Sequence, residues 1–217
     1  MLQIKNVVVH GLERALVAAG NPMTIGEIDS LNNCNENDRL RGKRLGSLPV
    51  GSGHNNFLKG VIVQFDVKYP QYWSLEAQRY HWLDIISSQS KMHRLSSAGS
   101  SEEFHKMFNK YVDKESIDKI KYYIYCYNHS TPIQQDNCSS PTSAEEIRYH
   151  WFMKALSNLP MGYELWETIS TSYLQLKTIY KQRQNHKLRE DWGAFCKMCE
   201  NLPFFLELIG EKTASES

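Results

Sequence analysis

The feature that most constrains the fold is a short apolar strand with polar, anion-binding groups on both sides of it. Apolar and more polar residues alternate over 61–67 of the segment KGVIVQFDV, the pattern of a strand buried mainly on one face. The polar groups around it are His54, Asn55, Asn56, the triplet Arg79-Tyr80-His81, Ser90, His93 and Arg94. A fold seldom needs so many polar groups around one strand. The pattern therefore indicates a binding site for a nucleotide or a similarly anionic ligand.

The composition limits the class of protein. A chain of 217 residues with 41% hydrophobic and 12% aromatic residues predicts one folded domain of ordinary size. The formal net charge of +1 disfavours nucleic acid as the main partner. No apolar run approaches the roughly 20 residues that span a bilayer. The N-terminal residues do not have the pattern of a signal peptide. We therefore expect a cytoplasmic protein without a nucleic-acid or membrane partner.

The cysteines point to packing rather than to chemistry. Five cysteines form an odd set, and only Cys196 and Cys199 make a C-x-x-C pair, inside a helical run. A zinc site would need a second ligand pair, and a redox pair would be expected where a strand meets a helix. We predict two semi-buried helix thiols and no metal site.

Helical spacing of apolar residues recurs along most of the chain. It predicts helices over 10–20, 74–88, 102–112, 116–127, 145–158, 171–183 and 187–201. A hydroxyl and a carboxylate three residues apart in Thr142-Ser143-Ala144-Glu145 fit a capping box at the start of the fifth helix. The polar segments 29–53 and 128–143 are predicted loops, and 210–217 a disordered tail. The fold class is α+β, a single helix-rich domain over 1–217 with a small sheet.

Several landmarks have counterparts in a known family. The first helix ends in AAGNP (18–22), a short turn with Asn-Pro. His54 and Phe57 precede the strand 61–67, in the manner of a His-x-Ser-x-x-Glu segment that leads into a long strand. The chain matches these landmarks in order and spacing more closely than in residue identity.

The later landmarks complete the pattern. Arg79-Tyr80-His81 followed by Ser90 is similar to an Arg-His-Arg segment with a downstream Ser-x-Arg-Tyr. Leu159-Pro160 lies where the family has a Leu-Pro turn, and Arg183 ends a helix as the nucleotide-binding arginine does. Over roughly residues 10–209, the chain resembles the flavin-dependent thymidylate synthases. The resemblance implies their fold, with a small antiparallel sheet.

The resemblance also implies an activity, which is reductive methylation of deoxyuridylate (dUMP) with a folate one-carbon donor and a flavin hydride. FAD would be the cofactor, and the partners would be dUMP, a reduced folate and the nicotinamide cofactor NADPH, in a homotetramer. No enzyme nucleophile is needed, because the flavin carries the difficult chemistry and the protein binds and orients.

The resemblance also implies candidate binding residues. The substrate-binding set is Arg183, Ser90, Arg94, Gln78 and Gln89, and the cofactor-binding set is His54, Asn56, Arg79 and His81. The planar guanidinium of Arg183 suits an anionic ring edge. Alternatively, Arg183 is a surface residue that favours the helix dipole. Arg79 could instead form a salt bridge with Glu76 or Asp84.

The chain also departs from the family at informative positions. Tyr80 and His81 replace the second and third residues of Arg-His-Arg, and Leu156 stands in the place of an arginine before Leu-Pro. Leu174 and Thr178 stand where flavin-contacting polar residues are usual. These losses favour an alternative function, a non-catalytic relative that binds a nucleotide as a binding or regulatory protein. A third possibility is a helical interaction protein outside the family.

Overall fold

The computed structural model describes residues 1–28, 33–98, 102–133 and 143–211. Its strands are β1 (Gln3–His10), β2 (Ile62–Pro70), β3 (Asp84–Ser88) and β4 (Glu164–Ser172). Its α-helices are α1 (Leu12–Ala18), α2 (Glu36–Gly46), α3 (Gln71–Ala77), α4 (Lys91–Ala98), α5 (Lys114–His129), α6 (Ala144–Ser157), α7 (Tyr173–Arg183), α8 (Arg189–Glu200) and α9 (Phe205–Ile209). Short 3₁₀ helices span Asn21–Met23, Asn56–Gly60 and Glu102–Met107. No helix among the described residues has both the length and the apolar character needed to cross a membrane.

The strands form one antiparallel sheet in the order β1-β2-β4-β3. β1 pairs with β2 from Gln3 opposite Lys68 to His10 opposite Ile62, and the register shifts between Lys5 and Val8. One face of the alternating segment 61–67 is buried. Its residues Val61, Val63, Phe65 and Val67 are each at most 1% exposed. The predicted fold class, α+β with a small antiparallel sheet, is confirmed.

The chain groups into two compact units. Of the described residues, the first comprises 1–28, 33–68, 76–87 and 167–211, and the second comprises 69–75, 88–98, 102–133 and 143–166. Compact units of this size can belong to one domain, so the single-domain organisation stays a prediction.

The core of the first unit places α7 against the sheet. The backbone N–H of Tyr173, the first residue of α7, donates to the Val61 carbonyl at 3.0 Å. Phe195 on α8 packs edge-on against Phe65 of β2, with ring centroids 6.0 Å apart. Burying an aromatic or large aliphatic side chain contributes about 1.5–3 kcal/mol, so the contact between Phe195 and Phe65 holds α8 on the sheet, while the Tyr173 bond joins the start of α7 to the residue before β2.

A buried lysine holds α7 to α2. Lys177 is 1% exposed, and its Nζ donates to the carbonyls of Gly46 at 2.6 Å and Leu48 at 2.5 Å. Burial lowers the pKa of Lys177. Because Gly46 ends α2, the ammonium lies where helix carbonyls lack partners and the dipole favours a cation.

The segment 29–53, predicted as a polar loop, contains α2, so that prediction is wrong over Glu36–Gly46. A capping box starts the helix. The Asn35 side chain accepts from the Asp38 N–H at 3.2 Å, and the Asp38 carboxylate accepts from the Asn35 N–H at 3.1 Å. The helix is polar on most of its surface, so apolar spacing did not indicate it, whereas the cap sequence could have.

The second unit contains the paired helices α5 and α6, which confirm the helices predicted over 116–127 and 145–158. Tyr123 and Trp151 pack with centroids 5.9 Å apart. The capping box of α6 lies one residue later than predicted. The Ser143 hydroxyl accepts from the Glu146 N–H at 3.1 Å, and the Glu146 carboxylate accepts from the Ser143 N–H at 3.2 Å.

Other predictions need correction. The helix expected over 74–88 is the short α3, a turn and strand β3. The helix expected over 102–112 is the 3₁₀ segment Glu102–Met107, while 171–183 begins with the end of β4. Most of the predicted loop 128–143 and of the tail 210–217 lies outside the described residues, and α5 extends to His129.

The two thiols of the C-x-x-C pair lie on α8, as predicted, and are more deeply buried than expected. Cys196 is 5% exposed and Cys199 is fully buried. Burial raises the pKa of Cys196 to about 11 and that of Cys199 well above the usual range. Both therefore stay protonated at neutral pH and pack as small apolar side chains.

Candidate functional site

A cavity of about 490 Å³ opens in the first unit beside the N-terminus of α7. Its walls come from the start of β2, the turn before β3, the end of β4 and the first turns of α7. The lining residues are Val50, Lys59, Ile62, Trp82, Asp84, Ser170, Thr171, Ser172, Leu174, Gln175 and Thr178. This volume is in the range of small-molecule sites.

The sequence Ser170-Thr171-Ser172 explains why a helix begins at the cavity. The Ser172 hydroxyl accepts from the Gln175 N–H at 3.3 Å, which is the bond of an N-cap. The 11 residues of α7 follow, so its positive dipole end lies at the cavity wall. Electron-rich ligand groups are favoured there.

Thr171 is a buried polar residue of the cavity lining. Its side chain is 4% exposed, and its Oγ1 has no hydrogen-bond partner among the described residues. A buried hydroxyl without a partner costs about 1–3 kcal/mol, so nearly all such groups in proteins are paired. A ligand that donates to or accepts from Thr171 Oγ1 would remove that cost.

The remaining lining favours a planar ring. Trp82 is 59% exposed and offers an indole face, while Ile62 and Leu174 supply apolar contact. Lys59 and Asp84 are the charged residues of the described lining, and their charges cancel. The cavity therefore suits a flat, largely uncharged ring with a polar edge.

A second polar group lies at the other end of α7, and we call it the Arg183 cluster. It consists of Glu76, Tyr80, Arg183, His186 and Trp192. Arg183 Nη1 donates to Glu76 Oε2 at 3.0 Å, and Arg183 Nε donates to the Tyr80 hydroxyl at 2.7 Å. The guanidinium carbon lies 4.4 Å from the centroid of the Trp192 ring.

The same Glu76 oxygen has two further neighbours in the cluster. The indole Nε1 of Trp192 donates to it at 3.0 Å, and Nε2 of His186 lies 3.5 Å away. The side chain of Arg183 is 13% exposed, so it is not the surface arginine of the alternative interpretation. The partner of Glu76 is Arg183 rather than Arg79.

The predicted residues of the first unit lie on its surface. His54, Asn56, Gln78, Arg79 and His81 are all exposed. The His81 ring packs edge-on against Trp82 with centroids 5.1 Å apart, which brings it next to a cavity residue. None of the predicted binding residues is among the described residues that line the cavity.

The predicted residues of the second unit make local contacts. Gln89 exchanges hydrogen bonds with the Trp166 backbone, donating at 2.9 Å through its N–H and accepting at 3.1 Å through Oε1. Arg94 Nη1 donates to the Glu164 carbonyl at 2.6 Å. The Ser90 hydroxyl accepts from the His93 N–H at 3.4 Å at the start of α4. Their roles toward a substrate stay predictions.

Sequence reasoning missed Trp82, Thr171 and Gln175 as cavity residues. Leu174 and Thr178 were singled out through the family resemblance, and both line the cavity. The hydroxyl run 170–172 carried a usable signal, because consecutive Ser and Thr residues before a helix mark an N-cap. The unpaired state of Thr171 has no sequence signature.

No protein-family model matches the sequence, and no curated protein matches it either. Solved structures with the same fold include thymidylate synthase X (ThyX) from Helicobacter pylori with FAD and dUMP. That match has a TM-score of 0.66 and 15% sequence identity, and it covers 96% of this chain and 95% of the other.

Two further structures agree. A second structure of flavin-dependent thymidylate synthase ThyX from Helicobacter pylori, complexed with FAD and dUMP, matches with a TM-score of 0.61 and 15% identity over 99% of this chain and 98% of the other. The UMP/dUMP methylase PolB from Streptomyces cacaoi, bound with 5-Br dUMP, matches with a TM-score of 0.55 and 12% identity over 92% and 88%. This chain has the ThyX fold.

Proposed function

We propose that the protein binds a flavin ring in the cavity and, beside it, a pyrimidine nucleotide held by Arg183 of another copy of the chain, and that it catalyses reductive methylation of dUMP. The observation that carries the proposal is a cavity whose lining includes both Thr171, with its unpaired, buried hydroxyl, and Trp82, with its exposed indole. A bound ring with polar edge atoms would pair the hydroxyl and stack on the indole.

The similar solved structures support this choice of ligands. The two ThyX structures contain FAD and dUMP, and PolB is described as a UMP/dUMP methylase. A nucleotide and a flavin are therefore the first ligands to test. FAD, reduced folate and NADPH follow as cofactor, one-carbon donor and reductant if the activity is present.

The described residues fit the ring of a flavin better than its diphosphate. The cavity volume, the apolar walls and the unpaired Thr171 hydroxyl match a planar heterocycle with carbonyl and nitrogen edges. The exposed cations Lys59 and Arg79, with His54 and Asn56, would hold the phosphates outside the cavity. When bound, the flavin supplies hydride.

The chain's own residues would bind and orient the nucleotide and the flavin ring. Arg183 would hold the edge of the pyrimidine and stabilise negative charge that develops on it. Trp82 and Leu174 would exclude water from the ring. Ser90, Arg94, Gln78 and Gln89 remain the candidates for the nucleotide phosphate and sugar.

The exposed edge of the sheet supports a contact between copies of the chain, as a homotetramer requires. All of β3 is exposed, including Ile85 at 45% and Ile86 at 54%, and Trp82 precedes it. An exposed apolar edge strand is normally covered. We propose that another copy of the chain covers β3.

Flavin titration followed by a turnover assay tests the proposed function. We expect the protein to quench FAD or FMN fluorescence, and to convert dUMP to thymidylate with methylene-tetrahydrofolate and NADPH. Trp82→Ala should weaken flavin binding about tenfold by removal of the stacking surface. Tyr149→Ala is the matched control, because it removes another exposed aromatic side chain in the second unit. Absence of flavin binding by the wild-type protein would refute the proposal.

A second function is favoured by the Arg183 cluster. The guanidinium is already paired with a carboxylate, and Leu156 stands where the family has an arginine. These observations fit a non-catalytic protein that binds a nucleotide. Thermal stabilisation by dUMP, together with neither flavin binding nor thymidylate formation, would establish it.

A further inference from the structure

The Arg183 cluster already contains an anion. Glu76 Oε2 accepts from Arg183 Nη1 and from Trp192 Nε1, both at 3.0 Å. The Glu76 side chain is 29% exposed and that of Arg183 is 13% exposed. The positive charge of the guanidinium is therefore largely neutralised within the protein.

The surrounding side chains hold this ion pair in one arrangement. His186 Nδ1 accepts from the Leu188 N–H at 3.2 Å, which leaves the ring proton on Nε2, the nitrogen that faces Glu76. The Tyr80 hydroxyl accepts from Arg183 Nε and donates to Gln182 Oε1 at 3.0 Å. The remaining nitrogen, Nη2, has no hydrogen-bond partner among the described residues.

An incoming anion meets a competitor here. A guanidinium paired at 3.0 Å with a carboxylate attracts a second anion weakly, since the two charges of the pair nearly cancel at a distance. A ligand gains the full attraction of Arg183 only when the Glu76 carboxylate gives up its hydrogen bond to the guanidinium.

We propose that Glu76 is an internal competitor for Arg183, which an anionic pyrimidine nucleotide displaces when it binds. The inference rests on the proposed function, since it takes Arg183 as the nucleotide-binding group. In the absence of nucleotide, Glu76 and Trp192 keep the arginine folded onto the protein. The nucleotide affinity is lowered by the free energy of that internal pair.

Glu76→Gln tests the competition, because glutamine keeps the size and one acceptor oxygen but removes the charge. We expect dUMP to bind the variant about fivefold more tightly than wild type by isothermal titration calorimetry, the effect of removing a partly exposed ion pair. Glu13→Gln is the charge-matched control on α1, and it should leave the dUMP affinity unchanged.

The outcomes separate this inference from the proposed function. If wild type binds dUMP and folded Glu76→Gln binds it equally or more weakly, the inference is overturned and the proposed function stands. If neither protein binds dUMP, both fail. Equal tightening by Glu13→Gln would also overturn the inference, because net charge would then explain the gain.

A measurement on wild-type protein decides the case if Glu76→Gln does not fold. The indole N–H resonance of Trp192, assigned with Trp192→Phe, reports the bond to Glu76. Saturation with dUMP should shift this resonance toward the position of a weaker hydrogen bond. An unchanged resonance at saturating dUMP would overturn the inference.

Discussion

The polar side chains at the two ends of α7 differ in whether their hydrogen bonds are made within the chain. At the N-terminal end, Thr171 is buried beside a cavity and its hydroxyl has no partner among the described residues. At the C-terminal end, Arg183 donates to two side chains and stacks on a third. The N-terminal end therefore has a hydroxyl without a hydrogen-bond partner among the described residues and a cavity beside it. The C-terminal end has an arginine whose hydrogen bonds are made to other residues of the chain.

This difference shows that the type of a residue does not by itself tell whether its polar groups are available to a ligand. Arginine is the residue type that sequence reasoning associates with anionic ligands, yet here its contacts are internal. Threonine carries little functional signal in a sequence, yet its buried hydroxyl lacks a partner. The state of the hydrogen bonds is therefore a criterion for a candidate ligand site that the residue type alone does not supply.

Arg183→Ala should produce the largest effect on stability. It removes the partner of Glu76 and exposes the face of Trp192, so we expect a loss of about 2 kcal/mol, below the 3–5 kcal/mol of fully buried pairs because Glu76 is partly exposed. Urea unfolding measures this loss. The variant should also lose any thermal shift caused by dUMP.

The control for this variant is Arg79→Ala, which removes an exposed arginine of the same unit. It should change the free energy of unfolding by less than about 0.5 kcal/mol. A similar loss in both variants would mean that the Arg183 cluster is no more structural than the surface, and the contrast between the two ends would fail.

Thr171→Val should act in the opposite direction at the other end. Valine has the shape of threonine without the hydroxyl, so the unpaired buried group disappears and the protein should gain about 1 kcal/mol. The same change should weaken flavin binding about tenfold, because the ring loses its hydrogen bond. Urea unfolding and flavin titration measure the two effects.

Ser170→Ala provides the comparison for Thr171→Val, since it removes a neighbouring hydroxyl that also lines the cavity but is less buried. A destabilised Thr171→Val would show that the hydroxyl has a partner in solution. The N-terminal end of α7 would then resemble the C-terminal end, and the assignment of the cavity would lose its main support.

Much of the fold could be predicted because local patterns determine it. The alternation at 61–67 predicted β2, and apolar spacing predicted α5 and α6. Strand β3 was missed because its residues are exposed on both faces, so they carry no alternation. α2 was missed because most of its surface is polar, so it has no apolar spacing, and its attachment to α7 depends on Lys177, which lies far along the chain.

The site was less predictable, since it depends on distances between segments. The resemblance singled out Leu174 and Thr178 through their positions on α7, and the cavity includes both. Neither the pairing of Glu76 with Arg183 nor the missing partner of Thr171 follows from spacing. Glu76 and Arg183 are more than a hundred positions apart in the sequence, and which carboxylate meets an arginine is decided by tertiary packing.

A third polar group, on the sheet, extends the comparison. The Asp66 carboxylate accepts from the Thr168 hydroxyl at 2.7 Å and from Asn6 Nδ2 at 2.6 Å, which links β1, β2 and β4. These bonds, that from Thr168 first, lower the pKa of Asp66. Asp66 has its partners within the chain and is not among the described residues of the cavity lining, so we expect it to affect stability and not ligand binding.

The pH dependence of stability gives the smallest predicted effect. Because the folded pKa of Asp66 is lowered, its ionised form stabilises the protein above the unfolded pKa of about 3.9, and this contribution is lost as the pH falls through the folded value. Asp66→Asn should therefore cost about 0.5 kcal/mol at pH 7, since Asp66 is partly exposed, and progressively less below about pH 4. Urea unfolding of both proteins from pH 7 to pH 3 measures the difference. A constant difference across that range would show that the charge of Asp66 has no part in the stabilisation. A loss of dUMP or flavin binding would show that Asp66 also affects a ligand site.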